Sequence, residues 1–324
     1  MRQNNIFLML LKVFFFSSIL VATSAVRAEL KVVTTIKPLH SLIANVMDGV
    51  GEPALIIEGS TSPHSFTLKP SHAKLLEEAD IIFWVGDSIE TFMERPLESI
   101  VKNAEVVEFM EVESINKLKF REESIFEDHD DHDDHDDHDD HDDHEDHSGH
   151  DHHGHAHGEF DAHIWLDPIN AKEMVHEIAH ELGDLDPANK NKYEANAQAT
   201  IQALDQLVND IEKGINKDAK FVVFHDAYQY FEERFGVRAA GALTLNTDVL
   251  PGAKQITDIQ DVIKDRVIKC IFSEPQFNPK IITTIAEDMN IKTGVFDPLG
   301  ANIDSNKDLY FKLIQNLGNE LKGC

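Results

Sequence analysis

Phe221-Val222-Val223-Phe224-His225-Asp226-Ala227-Tyr228 decides the fold: four apolar, β-prone residues run directly into a histidine and an aspartate. Such a run reads as a strand whose end carries polar chemistry. Outward from it, residues 237–242, 268–272 and 292–296 repeat the apolar pattern downstream, and residues 31–36, 54–57, 81–85 and 106–109 repeat it upstream. Amphipathic stretches separate these runs. Strand and helix in alternation require crossover connections, which predicts mostly parallel, doubly wound sheets. The expected class is α/β, with two doubly wound lobes. At 324 residues and 42% hydrophobic content, the chain can fill two cores.

Between the lobes, Leu204, Leu207, Val208 and Ile211 stand at helical spacing in a stretch rich in Ala, Gln, Lys, Glu and Asn. This predicts a single linker helix over 187–217, about 40 Å long at about 1.5 Å per residue. A stiff connector of that length allows only small relative motion of the lobes. The N-terminal lobe is expected over 29–186 and the C-terminal lobe over 218–324.

Residues 1–28 read as a cleavable signal peptide: Arg2 and Lys12 accompany an apolar run over 13–22, and the small residues Ala25, Val26 and Ala28 follow. A membrane anchor is the competing reading, but the run is about half of the roughly 20 residues a spanning helix needs. No cysteine lies in this region to take a lipid, so a free periplasmic protein is expected. Cys270 and Cys324 are the only cysteines. An oxidising compartment favours pairing them if the fold brings them together, and otherwise they are two free thiols.

The formal net charge is −30, and residues 127–151 alone hold 15 acidic and no basic residues. Half of the excess therefore sits in one insert, residues 127–158. The rest has no basic stripe to neutralise phosphates, which argues against nucleic acid as a partner. The insert also carries His129, His132, His135, His138, His141, His144, His147, His150, His152, His153, His155 and His157. Imidazole beside carboxylate suits zinc, copper or nickel, and these twelve residues are auxiliary metal ligands in this reading. An acidic solubilising linker is the plainer alternative, but it has no reason to place His at every third position.

Selective binding needs ligands on rigid elements, and doubly wound folds place them beyond the C-terminal ends of strands. Four residues stand at such positions: His64 in Ser62-Pro63-His64-Ser65-Phe66, His163 before a helix, His225, and Asp297 after the run 293–296. Two come from each lobe, so the interlobe cleft is where they meet. Three imidazoles and one carboxylate make a zinc set. Each histidine alone is by default a structural one; recurrence in two lobes raises the case. His40, beside Pro38, is a further candidate to contact or orient a ligand, whereas His72, His176 and His180 read as surface or supporting residues, and Glu274 is a competing carboxylate.

Taken in order, Ser62-Pro63-His64, Asp161-Ala162-His163-Ile164-Trp165-Leu166-Asp167-Pro168, Phe224-His225-Asp226-Ala227-Tyr228, Ser273-Glu274-Pro275-Gln276 and Phe296-Asp297-Pro298-Leu299-Gly300 resemble the motifs of one family. It is the cluster A-I substrate-binding proteins of bacterial ABC importers, in particular the ZnuA-type zinc binders. The resemblance implies Zn2+ as transported ligand, held by His64, His163 and His225 with Asp297 at the acidic position. Some zinc relatives place a Glu before the first His; Pro63 stands there in this chain, leaving Asp297 or water as fourth ligand. Manganese and iron relatives carry a carboxylate where this chain has His225, which argues for zinc. A disulfide at Cys270 and Cys324 is also implied.

The resulting expectation is a monomer that captures Zn2+ and delivers it to a membrane permease. A periplasmic zinc buffer acting through the insert, a binder of manganese or another transition metal, and a surface adhesin are the alternatives. A zinc hydrolase is the rival from another class, but no His-Glu-x-x-His motif or evident nucleophile accompanies the histidines.

Overall fold

The computed structural model describes residues 29–126, 159–245, 247 and 250–324. The signal-peptide segment and the insert with its twelve histidines lie outside the described residues. The first sheet comprises β1 (Val32–Thr34), β2 (Ala54–Leu55), β3 (Ile81–Trp84) and β4 (Glu105–Glu108). The second comprises β5 (Phe221–His225), β6 (Ala242–Thr244), β7 (Cys270–Ser273) and β8 (Lys292–Val295). Their orders, β2-β1-β3-β4 and β6-β5-β7-β8, are the same, and every pair within them is parallel. The inner strands β3 and β5 are buried along their whole length, as expected of strands covered by helices on both faces.

The helices are α1 (Lys37–Val46), α2 (Pro70–Glu78), α3 (Glu94–Ser99), α4 (Pro168–Leu185), α5 (Lys190–Gly214), α6 (Gln229–Phe235), α7 (Ala253–Asp265), α8 (Lys280–Met289) and α9 (Leu309–Glu320). The linker helix is α5, whose buried Tyr193, Ala197, Ile201, Leu204, Leu207 and Ile211 form one apolar stripe. That stripe packs on α4, α1 and α9. α4 starts sharply because Pro168 occupies its first turn and the Asp167 carboxylate accepts from the Ile169 N–H at 2.8 Å. Arg234 of α6 holds that same carboxylate through two bonds of 2.7 Å, tying the second lobe to the start of α4.

Two features cross the lobe boundaries drawn at 186 and 218. Ile125 forms an antiparallel bridge to Gly241, so residues 124–126 extend the edge of the second sheet beside β6. α9 packs on α1 and α5 and not only on its own lobe. Lys37 Nζ donates to the carbonyls of Gly300, Ala301 and Ile303 at 2.6, 3.1 and 2.7 Å. Trp165 Nε1 donates to Pro298 O at 2.8 Å, and Tyr310 Oη to Trp165 O at 2.7 Å. One hydrophobic cluster runs through both lobes, while a smaller one fills the outer side of the second sheet around Val222, Leu243 and Ile271.

One strand is displaced from its expected place. The apolar run 237–242 yields β6 only from Ala242 onward, because Gly236, at φ 63°, closes α6 in the left-handed region and the Val237 N–H returns to Glu232 O at 3.1 Å. Cys270 and Cys324 are joined, with Cα atoms 5.6 Å apart, fastening the C-terminus to β7. Among the described residues, no helix is long and apolar enough to cross a membrane.

Candidate metal site

In each sheet the strand order reverses between two neighbours, β1 and β3 in one and β5 and β7 in the other, which is where doubly wound folds open a crevice. His225 is the last residue of β5, and Glu274 follows the last residue of β7. Adjacent parallel strands therefore deliver the two side chains to one point. His225 Nδ1 lies 2.7 and 2.8 Å from the two Glu274 carboxylate oxygens. His163 stands before the short helical turn Ile164–Leu166 that leads into α4, and its Nδ1 lies 2.7 Å from Asp161 Oδ1. The same oxygen accepts the His163 backbone N–H at 3.0 Å. His64 sits in the turn Pro63–Ser65, after β2.

Carboxylates accept hydrogen bonds, so both Nδ1 atoms carry the proton and donate it. The lone pairs are left on Nε2, and those of His163 and His225 face each other 3.4 Å apart. Two lone pairs at that distance repel unless a cation lies between them. Nitrogens bound at about 2.0–2.1 Å to one tetrahedral ion stand about 3.4 Å from each other. His64 completes the group: its ring centroid is 5.6 Å from that of His163 and 5.9 Å from that of His225. Ligand atoms of all three histidines lie within 4.8 Å of one another, the one group of three or more metal-capable side chains among the described residues.

His163 and His225 are 5% and 4% exposed, and Asp161 and Glu274 are buried behind them. Two carboxylates behind three neutral imidazoles balance a dication inside a site that water scarcely reaches. Burial lowers the pKa of His225, but the carboxylates of Glu274, Asp226 and Asp161 together outweigh it and hold the imidazole above its ordinary value. The cavity is small, about 10 Å³, and is walled by Ile89, Trp165, Phe277, Pro298 and Leu299 together with the histidines. It has room for one ion or one water.

Asp297 follows β8 but turns its carboxylate into its own loop. Oδ1 accepts from the N–H groups of Leu299 at 3.2 Å and Gly300 at 3.0 Å and from Gln276 Nε2 at 3.0 Å; Oδ2 accepts from the Ala301 N–H at 2.6 Å. It stands outside the three-histidine group. His40 Nε2 faces Pro53 O at 3.2 Å, and His72 Nδ1 accepts from the Lys69 N–H at 3.2 Å at the start of α2. His176 and His180 lie on the exposed face of α4. The contribution of Asp161 is the part that sequence reasoning missed, although its position two residues before His163 was a usable signal.

The family model described as "Zinc-uptake complex component A periplasmic" (ZnuA) matches residues 32–324. The chain is 49% identical over 303 residues to the high-affinity zinc uptake system protein ZnuA of Brucella abortus (strain 2308), across 90% of this chain and 91% of that one. It is 32% identical over 310 residues to the protein of the same name from Yersinia pestis, across 95% of each. A crystal structure of ZnuA has the same fold, with a TM-score of 0.70 at 21% identity over 90% of this chain and 98% of that one. A match that spans both lobes and takes in all three convergent histidines assigns the chain: it belongs to the ZnuA family of periplasmic zinc-uptake components.

Proposed function

We propose that the protein captures Zn2+ in the periplasm through His64, His163 and His225 and delivers it to the membrane permease of an ABC importer. The observation that carries this reading is the convergence of three imidazoles, two of them held by buried carboxylates with their Nε2 atoms 3.4 Å apart. The names of its relatives, high-affinity zinc uptake proteins, agree with it. With Asp297 engaged by its own loop, the three imidazoles are the side chains this site offers the ion. Imidazole-rich donor sets suit zinc better than manganese, which prefers oxygen. A cavity of about 10 Å³ accommodates an ion but no organic substrate beside it, which favours a carrier over a hydrolase.

Export follows from reading residues 1–28 as a cleaved signal peptide, and the twelve histidines of residues 127–158 act as a collector that passes zinc to the interlobe site. The test is a zinc titration, against a chromophoric chelator, of mature protein lacking residues 127–158 and of its His163→Ala variant. One tight equivalent that weakens sharply in the variant is expected. Absence of tight binding in the loopless protein would overturn the assignment and make the insert the functional binder, the behaviour of a buffer.

A further inference from the structure

At the opposite end of the second sheet from His225 lies a cavity of about 550 Å³, lined among the described residues by Lys217, Lys220, Arg238 and Arg266 against two acids, Asp218 and Asp265. A cluster with a net charge of two positive is out of keeping with a chain of net charge −30. Among the described residues, Lys217, Lys220 and Arg238 have no ion-pair partner. Arg266 points at Phe126: its Nη1 donates to the Phe126 carbonyl at 2.6 Å. The Phe126 N–H donates to Ala240 O at 3.1 Å, and Ala240 also lines the cavity. The Phe126 ring is buried under the Arg121 guanidinium, 4.1 Å from its centroid, and Arg121 is held by Asp226 and Glu232. Phe126 is thus a fixed post at the rim of the cavity.

The residues that follow this post are Glu127, Asp128, His129, Asp130 and Asp131. We propose that the basic cavity is the docking site for this acidic start of the chain's own insert, with Glu127, Asp128, Asp130 and Asp131 paired to Lys217, Lys220 and Arg238. Reach is no obstacle: five extended residues span about 17 Å, and 550 Å³ corresponds to a cavity about 10 Å across. A tether this short gives an effective concentration on the order of millimolar, so exposed ion pairs that are weak between separate molecules suffice here. β5 begins at Phe221, which lines the cavity, and ends at His225, about 13 Å away at about 3.3 Å per residue. Docking holds the start of the insert at that distance from the metal site, while the other end of the insert rejoins the chain at Glu159, four residues before His163.

The experiment uses the full mature protein, free of metal, and a protease that cleaves before aspartate. Cleavage at Asp128, Asp130 and Asp131 is compared with cleavage at Asp142 and Asp143 of the same molecules. In buffer of about 10 mM ionic strength, where the Debye length is about 30 Å, the first group is expected to be cut about tenfold more slowly, the size expected of three exposed ion pairs acting together. At about 1 M salt, where screening falls to about 3 Å, the ratio should approach one. Lys217→Gln/Lys220→Gln/Arg238→Gln should remove the difference at low salt, although its folded body still crowds the same sites. An unchanged ratio across salt in the wild-type protein, or between wild type and variant, overturns the proposal. Protection that rises with protein concentration overturns it too, because the occupant is then a second copy.

Discussion

Lys37→Met tests whether the loop 297–303 is held by the N-terminal lobe. The Lys37 ammonium is buried, and its three protons meet three carbonyls, those of Gly300, Ala301 and Ile303. Burial lowers its pKa while Asp297 and Asp304 act in the opposite direction, so the charge itself gains little over water. The cost of the substitution is therefore dominated by the carbonyls left behind. Methionine fills much of the volume, and each orphaned carbonyl costs about 1 kcal/mol, about 3 kcal/mol together. For a chain of this size that lowers the melting temperature by about 5 °C. Urea unfolding of wild type, Lys37→Met and Lys37→Arg measures it; the arginine fork cannot aim three donors at the same convergent carbonyls, so it should lose stability as well. Pro298 and Leu299 of this loop wall the metal cavity, so zinc affinity measured well below the melting point should fall in both variants. A Lys37→Met protein within about 0.5 kcal/mol of wild type would refute the reasoning, since it would mean that the carbonyls find water as readily as they found the ammonium.

Glu274→Gln keeps an acceptor for His225 Nδ1 but removes the charge behind the ring, and zinc affinity in chelator competition should drop about 10- to 100-fold, whereas equal affinity would show that the carboxylate only fills space. Glu90 is fully buried and accepts from the N–H groups of Val85 and Gly86, and burial pushes its pKa up to about 7 from an ordinary 4.5. Because the folded value is the higher, its contribution is fully present below about pH 4.5 and is lost as pH rises through about 7, on the order of 3 kcal/mol. Glu90→Gln should flatten the pH dependence of urea unfolding across that window, and an unchanged slope would place the titration elsewhere. Val267, a β-branched residue that is 64% exposed at φ 54°, occupies the left-handed region. Val267→Asn should raise stability by about 1 kcal/mol in chemical denaturation, and a loss would mean that Val267 makes a contact worth more than its strain.

The inner strands were readable because parallel strands buried on both faces become continuous apolar runs, and all eight runs contain or overlap a strand of the structure even though the edge strands β4 and β8 are largely exposed. The exception in placement, residues 237–242, is instructive: apolarity reports burial, but a strand also needs a ladder partner. Val237 spends its N–H on closing α6, and pairing with β5 begins only at Ala240, whose N–H donates to Phe221 O at 2.8 Å, with Ala242 in register with Val223. The destination of α9 was not readable for a related reason. Its apolar stripe shows that one face is covered, and nothing in that stripe says that α1 of the other lobe and the linker helix α5 cover it.

The site divides along the same line. Strand ends announce themselves, so His225 and Asp297 could both be placed at the cleft from position alone. What position does not show is where a side chain finds its partners. His225 meets Glu274 because β5 and β7 are neighbours, a pairing between residues 49 positions apart in the chain. Asp297 precedes Pro298-Leu299-Gly300-Ala301, a tight turn with Gly300 at φ 67°, whose inward N–H groups would be unpaired without an anion. The aspartate satisfies them, and Lys37 satisfies the outward carbonyls of the same loop. A carboxylate that holds three backbone N–H groups and a glutamine has little lone-pair capacity left for a metal, and leaving the loop would orphan those donors. The residue best placed to be a fourth ligand is therefore the one that builds the wall against which the three histidines converge.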